Sequence, residues 1–204
     1  MSAKLAYADT SPMTPEEYLV WERAAETKHE YAAGKLYSMA GTSRQHVRIS
    51  VNLVRHLGNA LAGKTCEVFN NDLRVWIPRR RAYNYPDVIV VCGEAEFLDN
   101  QFDTLLNPVL VIEVLSPSTA RRDLNTKFRD YRSLDSFAEY VVIAQDERAI
   151  EHFVKREDGI WAIQEVGDEL RLVSVPVVLS LNEIYARVEF SEEPKNTEEG
   201  QPVE

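Results

Sequence analysis

The sequence predicts an α/β chain: a mixed β-sheet flanked by helices, with a helix and a hairpin leading into it. Three patterns carry that reading. Apolar residues recur at helical spacing near the N-terminus, extended runs dominate from Cys66 onward, and one almost continuously apolar run, Pro108 to Leu115, precedes a helical segment. Such a run reads as a central strand covered on both faces, and the segment after it as the crossover of a parallel pair.

Residues 1–13 read as a flexible arm. Thr14-Pro15-Glu16-Glu17 opens the first helix, with threonine at the cap, proline first and glutamate third. That helix is expected to reach about Thr27, with Tyr18, Leu19, Trp21 and Ala25 inward. His29 to Met39 reads as a hairpin turning at Ala33-Gly34. Ser43 caps a second helix through Leu61, for which Val47, Val51, Val54, Leu57 and Leu61 form the expected buried stripe and Gly63 the stop. Leu73, Val75 and Ile77 then alternate toward a turn at Pro78-Arg79-Arg80-Arg81. Two strands follow, one carrying Asp87 and one Glu113, and then a helix near 122–134 marked by Leu124, Phe128 and Tyr131. Strands are expected at about 138–144, 149–155, 160–165 and 170–178, with a short helix near 181–187. At 204 residues this is one domain, 14–190, ended by the tail 191–204.

The formal net charge of −10 argues against a basic body for gripping phosphates. The tail, with five acids and one lysine, accounts for −4 of it and reads as disordered, which leaves −6 elsewhere. A nucleic-acid partner would need a local basic rim, and Arg79, Arg80 and Arg81 are the candidates. No apolar run is long enough for a membrane span, and the first residues lack a secretory leader's apolar stretch. Cys66 and Cys92 are expected as buried reduced thiols, which suits a cytoplasmic setting. No phosphate-cradling glycine loop, zinc-spaced Cys/His cluster or serine elbow occurs, which disfavours nucleotide hydrolysis, zinc chemistry and serine hydrolysis.

Two acids sit within apolar strand patterns: Asp87, sharing a face with Ile89 and Val91, and Glu113, sharing one with Val111 and Leu115. Carboxylates are rarely buried without compensation, and on adjacent strands two would stand about 5 Å apart. There they repel unless a proton or cation is shared, and a divalent metal doing metal-assisted hydrolysis is the economical answer. Each acid alone could equally be an ordinary strand-end residue. Lys127, on the helical segment, shares the stripe of Leu124 and Tyr131, and a crossover packing back on its strand would aim the ammonium at the pair. An exposed, snorkelling lysine is the plainer alternative. Glu30 is either a third metal oxygen or an exposed strand acid. Ser116 and Ser118 either cap the following helix or meet a phosphate, and His46 is a lone helix histidine that could contact substrate or act as a base.

These stretches together resemble the Uma2 family, a prokaryotic group of restriction-type endonucleases in the PD-(D/E)xK nuclease superfamily. The resemblance rests on Met13-Thr-Pro-Glu-Glu-Tyr18, His29-Glu-Tyr-Ala-Ala-Gly34, Ser43-Arg-Gln-His46, Tyr85-Pro-Asp87, Ile112-Glu-Val-Leu-Ser-Pro-Ser-Thr119, Asp123-Leu-Asn-Thr-Lys127 with Tyr131, and Glu139-Tyr-Val-Val-Ile143. They come in the family's order over roughly residues 12–188. The resemblance implies a restriction-endonuclease-like core, with Asp87 and Glu113 as metal ligands and Glu30 supporting the site. It also implies a departure: Leu115 stands where the superfamily's lysine normally falls, two places after the second acid, and Lys127 takes its place.

The expectation is therefore a Mg²⁺-dependent (or Mn²⁺-dependent) endonuclease acting on DNA, with the Val114 carbonyl as a further metal oxygen. A homodimer would suit cutting both strands. The rivals are a nuclease fold that binds DNA or a protein partner without cutting, and a structural domain whose acids pair with arginines such as Arg121.

Overall fold

The structure, a computed structural model, describes residues 12–39, 41–116 and 120–190. The arm (apart from Pro12 and Met13), the tail, Ser118 and the side chain of Arg121 lie outside the described residues.

The apolar run Leu110–Leu115 is β8, an inner strand of a six-stranded sheet of order β11-β10-β9-β8-β6-β3. Its neighbours are β6 (Val88–Cys92), antiparallel, and β9 (Glu139–Ala144), parallel. Beyond them lie β3 (Cys66–Asn70), β10 (Ile150–Lys155) and β11 (Trp161–Gln164), all antiparallel to their partners. The parallel pair of β8 and β9 needs a crossover, and the helix over 120–131 supplies it. A second sheet of order β2-β1-β5-β4-β7 contains the early hairpin, β1 (His29–Ala32) and β2 (Lys35–Ser38). Its other strands are β4 (Arg74–Ile77), β5 (Ala82–Asn84) and β7 (Thr104–Leu105).

Strand alternation divides the core in two. Val88, Val90, Ile112, Val114, Val141 and Ile143 pack under α2 (Arg44–Leu61), while Ile89, Val91, Val111, Tyr140 and Val142 pack against the crossover helix and the second sheet. Asp87 and Glu113 belong by alternation to the second face. β6 and β8 pair Val88 with Ile112, which brings Asp87 and Glu113, one step on, to the same end of adjacent strands.

The mixed α/β architecture with its N-terminal helix and hairpin agrees with the sequence reading, and several details correct it. The first helix, α1 (Pro15–Glu22), has its Thr14 capping box but stops before Thr27. Glu22 turns inward, where its carboxylate accepts the His29 N–H at 2.9 Å and pulls the chain into β1. In α2 the buried stripe is Ile49, Leu53, Leu57 and Leu61, whereas Val47 and Val51 are 46% and 58% exposed. Two apolar stripes compete on that helix, and the one with the larger side chains is buried. The expected strand at 170–178 is a hairpin of β12 (Glu169–Arg171) and β13 (Val178–Ser180). Pro176 between them cannot donate to a ladder. Glu139 nails the turn: fully buried, it accepts N–H bonds from Val173 (2.8 Å) and Ser174 (2.9 Å) and faces His152 Nε2 at 2.6 Å.

The cysteines are also corrected. Cys66 and Cys92 stand directly opposite in the β3–β6 register and form a disulfide, with Cα atoms 4.0 Å apart, instead of two reduced thiols. Among the described residues no helix is long and apolar enough to cross a membrane.

Candidate active site

Asp87 follows Pro86, which ends β5 and lets the chain change sheets before β6 begins. The carboxylate closes the ladder at that point: Oδ2 accepts the Val114 N–H at 2.8 Å. The same oxygen lies 3.1 Å from His46 Nε2, in the first turn of α2. Glu113 is mid-strand and buried, and its Oε1 accepts from Lys127 Nζ at 3.1 Å and from the Tyr131 hydroxyl at 3.4 Å. Burial pushes both carboxyls up, Asp87 to about 7 against the pull of the Val114 N–H and Lys127, and Glu113 well above its ordinary value despite Lys127.

The lysine reaches them from a local irregularity. Residues Asp123–Lys127 of the crossover helix form a π turn, flanked by α-helical turns at Ala120–Arg122 and Phe128–Tyr131. Asp123, Lys127 and Tyr131 are all buried on the side facing β8 and β9, where Tyr140 donates its hydroxyl to the Asp123 carbonyl at 3.0 Å. Lys127 Nζ meets three carboxylates, Glu30 Oε1 at 2.9 Å, Asp123 Oδ1 at 3.0 Å and Glu113 Oε1 at 3.1 Å. Burial alone would lower this ammonium's pKa, but the acids outweigh it and hold the lysine charged.

Glu30, on β1, comes from the second sheet. Its Oε1 also accepts the Tyr85 N–H at 3.1 Å, and its Oε2 is paired with Arg122, whose guanidinium lies 4.2 Å from the centre of the Tyr37 ring. Burial would raise the Glu30 carboxyl, yet Arg122 and Lys127 hold it at about 2. It is a buried ionic partner of the site, not an exposed strand acid.

Of the remaining candidates, Ser116 lies where β8 ends, its carbonyl accepting the Ala120 N–H at 2.9 Å. The arginine turn does not converge on the carboxylate pair: Arg79 reaches Asp135 at 3.4 Å, Arg80 lies 3.7 Å from Asp130, and Arg81 is exposed in a left-handed conformation. Three residues escaped the sequence reading as site members. Asp123 and Arg122 precede Lys127 on its own helix, and the i, i+4 spacing of Asp123 and Lys127 was the signal available. Asn84 gave none: it is buried with its side chain against the Tyr131 hydroxyl.

These residues can be tested against a divalent cation. Four acids, Asp87, Glu113, Asp123 and Glu30, face two fixed cations, Lys127 and Arg122, so the ionised cluster carries two excess negative charges. Among the described residues no three His, Cys, Asp or Glu groups are gathered into a metal cage. Mg²⁺ asks for less than a cage: one or two carboxylate oxygens and its own waters. The donor set and its charge fit such an ion.

The Uma2 family model, described as “Putative restriction endonuclease”, matches residues 15–188. The chain belongs to the Uma2 family. It is 37% identical over 191 residues to the Synechocystis protein slr1290, covering 91% of this chain and 100% of that relative. It is 38% identical over 165 residues to Synechocystis sll1609, covering 81% and 93%. Both relatives are described as uncharacterized. The fold matches a crystal structure from Anabaena variabilis, a “putative nuclease” of DUF820, with a TM-score of 0.68 at 20% identity over 85% of this chain and 98% of that one.

Proposed function

We propose that this Uma2 chain is a Mg²⁺- or Mn²⁺-dependent endonuclease that hydrolyses phosphodiester bonds in DNA. One observation carries the reading: two buried carboxylates, Asp87 and Glu113, lie at the same end of adjacent strands, with Lys127 hydrogen-bonded to the second. Family membership and the nuclease-titled fold neighbour support it.

Asp87, Glu113 and the Val114 carbonyl would hold the ion. When bound, such an ion polarises the phosphate and lowers the pKa of a coordinated water. The chain's own groups do the rest. Lys127, kept charged by its acidic neighbours, orients the attacking water and answers charge developing on the phosphate. Glu30 holds the lysine from the second sheet, and Arg122, on the lysine's own helix, pairs with Glu30. Tyr131 holds Glu113 from behind.

The rival, a nuclease fold that binds without cutting, draws on one feature: Lys127 already faces three carboxylates, one for each ammonium hydrogen. Plasmid DNA incubated with Mg²⁺ or Mn²⁺ and the wild-type protein, Asp87→Ala or Lys127→Ala separates the two. Cleavage by wild type alone is expected; equal cleavage by all three discards the assignment, and metal binding without cleavage favours the rival.

A further inference from the structure

His46 is held as firmly as the carboxylates. Ser43 caps α2, its hydroxyl accepting the His46 N–H at 3.1 Å, and the same hydroxyl is paired with the Gln145 side chain just beyond β9. The first turn of α2 is thereby tied to the end of the central sheet. From it the imidazole extends until Nε2 stands 3.1 Å from Asp87 Oδ2, with both side chains nearly buried at 13% and 10% exposure.

That separation has a second meaning. Two donors in neighbouring positions of an octahedral ion, each about 2.1 Å from it, stand about 3 Å apart. Nε2 and Oδ2 therefore already have the spacing of adjacent ligands. A neutral imidazole is the form that ligates metals. With Nε2 as ligand, the ring proton resides on Nδ1.

Resting on the metal-dependent reading above, we propose that His46 is a third side-chain ligand of the cation, donating Nε2 beside Asp87, and that it tilts the site toward Mn²⁺ over Mg²⁺. Imidazole suits first-row transition metals, whereas Mg²⁺ favours oxygen donors, so one nitrogen among carboxylates shifts the preference.

The test uses the full chain and the metals alone. Mn²⁺ bound to the wild type is examined by pulsed electron paramagnetic resonance for ¹⁴N modulation from a ligating imidazole. Mn²⁺ and Mg²⁺ are then titrated calorimetrically into wild type, His46→Asn and Asp87→Asn. The expected result is ¹⁴N modulation in the wild type that His46→Asn abolishes. Mn²⁺ affinity should fall about 10- to 100-fold in that variant, and Mg²⁺ affinity by less, so the preference shrinks. Bound Mn²⁺ without nitrogen modulation, or modulation that persists in His46→Asn, overturns the ligand assignment while leaving the metal-dependent reading standing. No binding of either metal by the wild type overturns both. Should His46→Asn fail to fold, the wild-type spectrum still decides.

Discussion

Lys127 Nζ donates to Glu113 Oε1 across 3.1 Å, so the crossover helix returns a cation to the strand it has just left. Removing one partner of a buried ionic cluster leaves uncompensated charge, which costs about 3–5 kcal/mol. Lys127→Met is therefore expected to lose stability on that scale in metal-free buffer near pH 8. Urea unfolding monitored by circular dichroism measures it. A loss within about 0.5 kcal/mol, the range of an exposed lysine, would contradict the buried placement.

The pH dependence of the metal-free protein follows from opposed shifts. The Asp87 carboxyl, raised by burial from 3.8 to about 7, keeps its proton in the folded state over a range where the unfolded chain has released it. Stability from this group thus falls as pH rises from about 4 to about 7 and is level above, and Glu113 shifts in the same direction. Glu30, held at about 2, works oppositely: its contribution is present above its ordinary 4.5 and is lost as pH falls toward 2. Metal-free stability is expected to peak at about pH 4–5 and to drop by a few kcal/mol by neutrality. Asp87→Asn should flatten that drop and stabilise the metal-free protein at pH 8. Urea midpoints from pH 3 to 9 for both proteins check it, and parallel profiles would refute the assignment.

Much of this site is legible in the sequence, for local reasons. Period-two alternation puts Asp87 on the face of Ile89 and Val91, and Glu113 on that of Val111 and Leu115. The crossover rule brings Lys127 back over Glu113. What the sequence hides is long-range pairing. Glu30 reaches Lys127 because β1 pairs with β5, which a proline separates from β6, and no local pattern shows that the chain changes sheets between Asn84 and Asp87. The same limit concealed the Cys66–Cys92 register. Val47 and Val51 failed differently: two apolar stripes fit the same helix, and only the surface it packs on chooses between them.

The disulfide yields its own prediction. It closes a loop across 26 positions, and the chain-entropy relation makes that worth about 3–4 kcal/mol. Cys66→Ser with Cys92→Ser is expected to be less stable by up to that amount under oxidising conditions and no less stable than wild type in excess reductant. Urea unfolding with and without dithiothreitol measures both. A non-reducing digest should recover the two cysteine peptides as one species; separate peptides would remove the link.

Metal addition tests the excess negative charge directly. An ion that binds only the folded chain stabilises it by about 2.7 kcal/mol at one hundred times its dissociation constant. For a domain of this size that is a rise in Tm of about 5–10 °C. The rise should appear with Mn²⁺ or Mg²⁺, vanish with EDTA, and be absent in Asp87→Asn even though that variant starts from a higher metal-free Tm. This inversion is the discriminating feature: a carboxylate that serves only to hold the fold would lower the metal-free Tm when neutralised. Differential scanning fluorimetry at pH 8 reads all these values. An Asp87→Asn protein that melts below the metal-free wild type, and still gains stability from Mn²⁺, would show that the cation does not need Asp87.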